Sequence, residues 1–318
     1  MIIVVTDGYA INPGDLSWDR VAALGRLTVY ERTPAELLVE RCKMAEIILT
    51  NKTPVTGSQI EELPLLKMIS VMATGYNVID ISAANKKNIV VCNIPIYGTA
   101  SVAQHTIALL LELTNHVGIH ADSVAAGEWQ RSKDWAYAKT QLIELSGKTL
   151  GIVGFGNIGQ LTARIAKAMG MKIIYTSRTE KNTELGTYCN LETLFSSSDV
   201  VSLHCPLRPE NTRFINKNML QLMKPSAILI NTSRGQLVDE TDLADALNNQ
   251  LIAGAALDVL SSEPPSADNP LLSARNCIIT PHNAWMSKEA RQRIMDTTSE
   301  NIASFLRNEP IHVVNGLI

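Results

Sequence analysis

Three turns in the second half of the chain carry side chains that could act together on a small organic acid. The first is Asn231-Thr232-Ser233-Arg234-Gly235. Its Arg234 offers a planar fork able to grip a carboxylate through two parallel hydrogen bonds. The second is Leu257-Asp258-Val259-Leu260-Ser261-Ser262-Glu263-Pro264-Pro265, with Asp258 at the end of an apolar run and Glu263 in a proline-stiffened turn. The third is Ile279-Thr280-Pro281-His282-Asn283-Ala284-Trp285, whose His282 can give and take a proton. Each alone has a plain reading: a surface or helix-capping arginine, two solvated loop acids, a packed or exposed histidine. Together they fit one reaction. Reducing a 2-oxo acid requires an anchored carboxylate, a proton for the carbonyl oxygen and a hydride from a nicotinamide. An arginine, a histidine and an acid that orients the histidine and stabilises its imidazolium supply the protein's share.

A source of hydride is also written in the chain. Leu150-Gly151-Ile152-Val153-Gly154-Phe155-Gly156-Asn157-Ile158-Gly159-Gln160 reads as an apolar strand, then G-x-G-x-x-G, then a helix start. That order suits a dinucleotide pyrophosphate. Gly154 allows a tight turn, Gly156 lets backbone approach the phosphates, and Gly159 lets helix and strand pack closely. The helix N-terminus offers free N–H groups and partial positive charge to the anion. A glycine-rich turn alone is weak evidence. Here it is followed by an Ala/Ile-spaced helix and a further strand over 172–176.

These turns need a scaffold, and the chain supplies one. At 318 residues it is long enough for two domains. A hydrophobic share of 46% and a charged share of 19% suit a globular core. The net charge of −3, with no basic run, points away from nucleic acid and membrane partners. Five scattered cysteines without a C-x-x-C pair read as reduced thiols in a cytoplasmic protein. The start of the chain reads as a first strand rather than a signal peptide.

Strand-like runs are expected at 2–5, 27–30, 46–50, 67–72 and 89–92, with helical segments at 34–44 and 80–87. After them a helix over about 101–120 is apolar nearly all round, which predicts burial. His116 and His120 on it are four apart, but satisfied or partly exposed histidines suit the pattern better than a metal site. Residues 127–146 have no clear period. Their Trp129 and Trp135 suggest a contact surface or local packing. Strands return at 149–154, 172–176, 200–204, 227–231, 253–259 and 277–280, six in all, the count of a doubly wound dinucleotide-binding sheet. A last helix over about 287–307 precedes a terminal segment expected to cross back to the first domain. The fold class is therefore α/β with two Rossmann-like, doubly wound parallel-sheet domains. A substrate-binding domain comprises 1–99 and 287–318, and a dinucleotide-binding domain 100–286.

The chain resembles the D-isomer-specific 2-hydroxyacid dehydrogenases, nearest the glycerate dehydrogenase/hydroxypyruvate reductase branch. The likeness spans essentially all of it. It rests on Ala73-Thr74-Gly75-Tyr76-Asn77, the Ser101-Val102-Ala103 helix start, Gly147 to Gly156, His204-Cys205-Pro206-Leu207, Asn231 to Gly235, Asp258-Val259 with Glu263-Pro264-Pro265, and Thr280-Pro281-His282. The resemblance implies that Arg234 binds the substrate carboxylate and carbonyl, that His282 is the general acid/base and that Glu263 is its partner. Thr74, Gly75 and Tyr76 would bind substrate, chiefly through backbone N–H near Gly75. Asp258 would hold the nicotinamide carboxamide. Beyond the glycine loop, Ser177, Arg178, Thr179, His204, Cys205, Pro206, Thr212, Thr232 and Ser233 would line the cofactor. The active site would lie in the cleft between the domains, and the protein would be a homodimer paired through its nucleotide-binding domains.

One position departs from the common pattern. Where NAD-preferring members carry an acid for the adenosine ribose, Tyr175-Thr176-Ser177-Arg178-Thr179 has Ser177. A serine does not repel a 2′-phosphate, and Arg178 can pair with one, so the expectation is NADP in preference to NAD. The expected substrate is a hydroxypyruvate- or glyoxylate-like 2-oxo acid, reduced to the D-2-hydroxy acid. The alternative is a non-enzymatic NAD(P)-sensing, corepressor-like protein on the same fold. A phosphoglycerate dehydrogenase fits less well, since many carry a C-terminal regulatory domain and this chain stops at Ile318. Tyr76 and Trp285 either shape the pocket or simply pack.

Overall fold

The computed structural model describes residues 1–317. The chain divides into two compact units, one made of Met1–Gly98 with the segment from Met286 onward, the other of Thr99–Trp285.

The first unit holds five parallel strands: β1 (Ile2–Val5), β2 (Arg26–Val29), β3 (Ile47–Thr50), β4 (Met68–Val71) and β5 (Val90–Cys92). They lie in the order β2-β1-β3-β4-β5. Every residue of β3 and β4 is buried, the state that continuous Ile/Leu/Val runs reach in a sheet covered on both faces. The order reverses between β1 and β3, the point at which open α/β sheets commonly bind ligands. In this unit the chain's own Asp7 occupies that point. Its Oδ1 accepts from the N–H of Asn51 (2.8 Å) and its Oδ2 from those of Lys52 (2.5 Å) and Thr53 (2.9 Å). The terminal segment returns to this unit as expected. Val314 N–H donates to Val91 and Asn93 N–H to His312, both through backbone carbonyls.

Over 34–44, the expected helix is a 3₁₀ turn, Ala35–Leu37, followed by a short α-helix, Leu38–Cys42. In the same unit, Lys288–Leu306 is a long helix capped by Ser287, whose Oγ accepts the N–H of Ala290 (3.2 Å).

The second unit holds seven parallel strands: β6 (Thr149–Val153), β7 (Lys172–Thr176), β8 (Thr187–Tyr188), β9 (Val200–Leu203), β10 (Ile228–Asn231), β11 (Gly254–Leu257) and β12 (Cys277–Ile279). Their order is β12-β11-β10-β9-β6-β7-β8. The six expected strands are therefore joined by β8, a two-residue edge pairing with no apolar run to announce it. Side chains alternate between the two faces. Val201, Leu203 and Leu229 pack with Leu243 and Leu247 on one face, while Val200, Ile228 and Ile230 pack with Ile107, Leu110 and Leu113 on the other.

The buried helix foreseen over 101–120 is two helices, Thr99–Asn115 and Val117–Ala125. They break at His116, which adopts a left-handed conformation with φ of 49°. The side chains around the break explain it. The Thr114 hydroxyl bonds back to Leu110 O (2.9 Å), and the Glu112 carboxylate accepts the N–H of Gly118, so the second helix starts on a cap borrowed from the first.

Candidate active site

Six strands of the second unit end in one straight row. Thr176 pairs with Val153, Val153 with Leu203, Leu203 with Asn231, Asn231 with Leu257, and Leu257 with Ile279. The turns leaving these residues carry Ser177, the glycine loop, His204, Arg234, Asp258 and His282. Strand spacing puts the ends of this row roughly 24 Å apart.

Second in this row, between the β7 and β9 turns, lies the glycine loop. Gly154 has φ of +96°, and a Cβ there would sit 2.5 Å from the backbone N of Cys205. A Cβ on Gly159 would sit 2.3 Å from Gly154 O, so the helix Asn157–Ala168 can start this close to β6 only without a side chain. Gly156 differs, because a Cβ there would meet nothing within 4 Å. It is the N-cap residue of that helix and brings no side-chain acceptor to the first turn. No N-cap side chain satisfies the first N–H groups of the helix, as a pyrophosphate cradle requires. These residues fit a dinucleotide. Phe155 has its side chain buried and stacked on Tyr175, with centroids 3.9 Å apart, so only its backbone is offered to a ligand.

The loop after β7 is closed on itself. Ser177 Oγ donates to Thr179 O (2.6 Å), and the Tyr175 hydroxyl donates to Lys181 O while accepting from Lys181 N–H. Arg178 is exposed, with no ion pair among the described residues. After β9, His204 turns its Nε2 to Ser202 Oγ (2.9 Å), and burial pushes its pKa down to about 4, so the ring is neutral at pH 7. Cys205 O accepts from Ser233 Oγ (2.5 Å), which ties the β9 and β10 turns together. Asn211 Nδ2 donates to Pro206 O (2.9 Å), and exposed Thr212 bonds back to Arg208 O (3.2 Å).

The β10 turn is built around Asn231, which the sequence reading did not single out. Its side chain accepts from Ser233 N–H (3.0 Å) and donates to Arg234 O (2.9 Å), bracketing the turn that presents Arg234. Arg234 is exposed, and its Nη1 donates to Ser233 O (2.7 Å). An asparagine at a strand end before Ser/Thr is the signal that could have flagged this bracket.

His282 and Glu263 meet directly. His282 Nδ1 lies 2.6 Å from Glu263 Oε2, and Glu263 Oε1 accepts from Leu260 N–H (3.1 Å). The carboxylate therefore holds the proton on Nδ1 and leaves Nε2 to exchange one. His282 itself sits at φ of 52°, fixed by its N–H donating to the carbonyls of Asp258 (2.8 Å) and Thr280 (2.9 Å). Asp258 is 1% exposed. Its Oδ1 accepts from Thr280 Oγ1 (2.6 Å) and Asn283 N–H (3.0 Å), and its Oδ2 from Ala284 N–H (3.0 Å). Before any ligand is considered, this acid is a brace for the His282 turn.

In the first unit, Ala73 to Tyr76 follows β4. Thr74 Oγ1 donates to Ile94 O (2.8 Å), Asn93 Nδ2 to Thr74 O (2.8 Å) and Asn51 Nδ2 to Met72 O (2.7 Å). Two buried asparagines so anchor the loop, leaving Tyr76 exposed. Of the helix histidines, His120 is engaged at both ring nitrogens, with His116 O and Lys139 N–H. His105 meets Thr280. Trp129 and Trp135 are exposed, the latter at 90%, and Trp129 Nε1 donates to Trp135 O (3.0 Å). No helix among the described residues is long and apolar enough to cross a membrane.

Comparison with known proteins adds a family. The profile described as D-isomer specific 2-hydroxyacid dehydrogenase, NAD binding domain, matches residues 107–284. A hydroxypyruvate reductase of Blautia hydrogenotrophica is 49% identical over 322 residues, covering 99% of this chain and all of that one. A glycerate dehydrogenase of Methylorubrum extorquens is 41% identical over 288 residues, 90% of each chain. Among solved structures, an acyclic imino acid reductase in complex with NADPH and D-Arg superposes with a TM-score of 0.85 at 32% identity, covering 99% of this chain and 100% of that one.

Proposed function

From the premise that the chain belongs to the D-isomer-specific 2-hydroxyacid dehydrogenases, a family of NAD(P)-dependent enzymes, we propose that it reduces hydroxypyruvate or a glyoxylate-like 2-oxo acid to the D-2-hydroxy acid, with His282 as general acid/base. The observation that carries this reading is the 2.6 Å bond between His282 Nδ1 and Glu263 Oε2, which lie on the two turns next along the sheet from the Arg234 turn. The nicotinamide, when bound, supplies the hydride. The chain's own part is binding and proton transfer. Arg234 takes the substrate carboxylate and carbonyl with its free guanidinium donors. The Thr74–Gly75–Tyr76 loop adds backbone N–H groups. His282 Nε2 gives its proton to the carbonyl oxygen as the alcohol forms, and Glu263 stabilises the imidazolium that stands ready for that step. Gly154, Phe155, Gly156, Asn157, Ile158 and Gly159 hold the pyrophosphate by backbone. His204, Cys205, Pro206, Thr212, Thr232 and Ser233 line the rest of the cofactor, and the remaining lone pair of Asp258 Oδ2 is what a carboxamide would use. The test is loss of nicotinamide absorbance on adding hydroxypyruvate. His282→Ala should cut kcat roughly 10²–10⁴-fold with cofactor affinity kept. Equal loss of cofactor binding in that variant would remove the role.

The same enzyme prefers NADP. No carboxylate stands at the end of β7, Ser177 is turned to its own loop, and exposed Arg178 is available to a 2′-phosphate. We expect a higher kcat/KM with NADPH than with NADH. Ser177→Asp should invert the ratio by about tenfold or more, the scale of one charged contact. A wild-type preference for NADH would refute the assignment.

Two further parts of the reading concern the protein's surroundings. Val117, Ile119, Val124, Trp129, Trp135 and Leu142 are all exposed along one stretch of the second unit, which supports a homodimer formed there. Sedimentation at micromolar concentration decides it. Five cysteines without a disulfide suit a reducing cytoplasm, which cell fractionation checks.

A further inference from the structure

Three polar side chains of the helix Thr99–Asn115 bond to the turns that carry the site. Ser101 Oγ donates to Ala284 O (2.6 Å), His105 Nε2 lies 3.1 Å from Thr280 Oγ1, and Thr106 Oγ1 lies 3.0 Å from Thr232 Oγ1. Residues 101 and 105 are one helical turn apart and so grip the same loop. Residue 106 reaches the neighbouring loop that leads to Arg234.

Counting protons fixes the direction of the bonds. Thr280 Oγ1 is 2.6 Å from Asp258 Oδ1, a carboxylate that only accepts, so the single hydroxyl proton of Thr280 is spent there. The bond to His105 must then run from His105 Nε2–H to the Thr280 oxygen. The Asp258 carboxylate, oriented by Thr280, also accepts the N–H groups of Asn283 and Ala284, and its backbone carbonyl accepts that of His282. This set holds His282 at φ of 52°, a conformation uncommon for a residue with a side chain.

We propose that His105 is a positioning residue for the reaction: its Nε2–H bond to Thr280 sets the Thr280–Asp258 pair and thereby aims the His282 imidazole. The inference rests on the reading of His282 as the general acid/base. It assigns His105 a function that neither its helix nor its exposure announces. His105 Nε2 also lies 3.5 Å from Asp258 Oδ1.

The experiment is a variant series assayed with hydroxypyruvate and both cofactors. His105→Leu and Thr280→Val should each lower kcat about tenfold, the scale of one lost orienting hydrogen bond, while KM for hydroxypyruvate, anchored by Arg234, stays within about twofold. His105→Gln places an amide N–H near the Nε2 position and should recover most of the rate. His105→Asn, whose amide falls short at the Nδ1 position, should not. The double variant His105→Leu/Thr280→Val should be no slower than either single one, because both remove one linkage. Wild-type kcat in His105→Leu, equal rates in the Gln and Asn variants, or losses that multiply would each overturn the proposal. Thr280→Val and His105→Asn keep it testable should the leucine variant fold poorly. His282→Ala belongs in the same series. Full turnover there would refute the His282 reading itself. Its loss beside an unaffected His105→Leu would refute only the positioning role.

Discussion

His204 shows at the scale of single residues how environment decides what a histidine can do. Six histidines are scattered through the sequence, and composition does not separate them. In the fold, His282 meets a carboxylate, His105 meets a hydroxyl, and His204 is desolvated beside Ser202. The low pKa of His204, about 4 against an ordinary 6.5, has a thermodynamic consequence. Below pH 6.5 the unfolded chain takes up a proton that the folded chain refuses, so ν_U exceeds ν_N and stability falls as pH drops from 6.5 towards 4. Below pH 4 this group adds no further loss. The whole effect is at most about 3 kcal/mol. Urea midpoints measured between pH 7.5 and 4 should therefore fall more steeply for the wild type than for His204→Gln. Parallel curves would show that the ring is not desolvated as described. The bracketing roles of Asn231 and Asp258 belong to the same scale. Both residues were visible in the sequence, but each is defined by backbone groups that only the folded turn brings within reach.

At the scale of elements, the strand–glycine–helix unit was legible because its residues answer to local geometry. Gly154 needs its positive φ, and Gly159 needs the absence of a side chain. Gly159→Ala should force the helix Asn157–Ala168 away from β6, since the clash is with backbone and cannot be relieved by a rotamer. An overpacking cost of about 1–3 kcal/mol follows, seen as a drop in Tm of roughly 2–10 °C for a unit of this size. Dinucleotide affinity should fall with it. An unchanged Tm together with unchanged affinity would contradict the packing described. Other elements were not legible. The two-residue β8 has no apolar pattern to find, and the break at His116 depends on Glu112 and Thr114 bonding to backbone rather than on any glycine or proline. A periodic apolar stretch predicts burial well and says little about where a helix stops.

At the scale of the molecule, alternation of strands and helices read out both parallel sheets, because a strand buried on both faces must be apolar throughout. The contact surface around Trp129 and Trp135 was open between two readings in the sequence. Both are exposed, so the proposed homodimer has an apolar surface there to cover. If the proposed homodimer forms there, Trp135→Asp should weaken it and leave the far-UV spectrum unaltered, with sedimentation reporting a smaller mass than the wild type at micromolar concentration. A wild-type chain that already runs as a monomer would dismiss the surface.

Two sheets of the same general plan raise the question of why one chain should need only one dinucleotide. Asp7 supplies an answer. At the reversal point of the five-stranded sheet, the amides of Asn51, Lys52 and Thr53 already have a carboxylate acceptor, covalently attached and held in place by the fold. A phosphate arriving from solution would have to displace a tethered competitor of its own charge. The sheet is therefore self-inhibited as a nucleotide receptor, and titration calorimetry should count one dinucleotide per chain. In the five-stranded sheet an internal carboxylate takes the place that the glycine loop of the seven-stranded sheet would offer to a cofactor's phosphates.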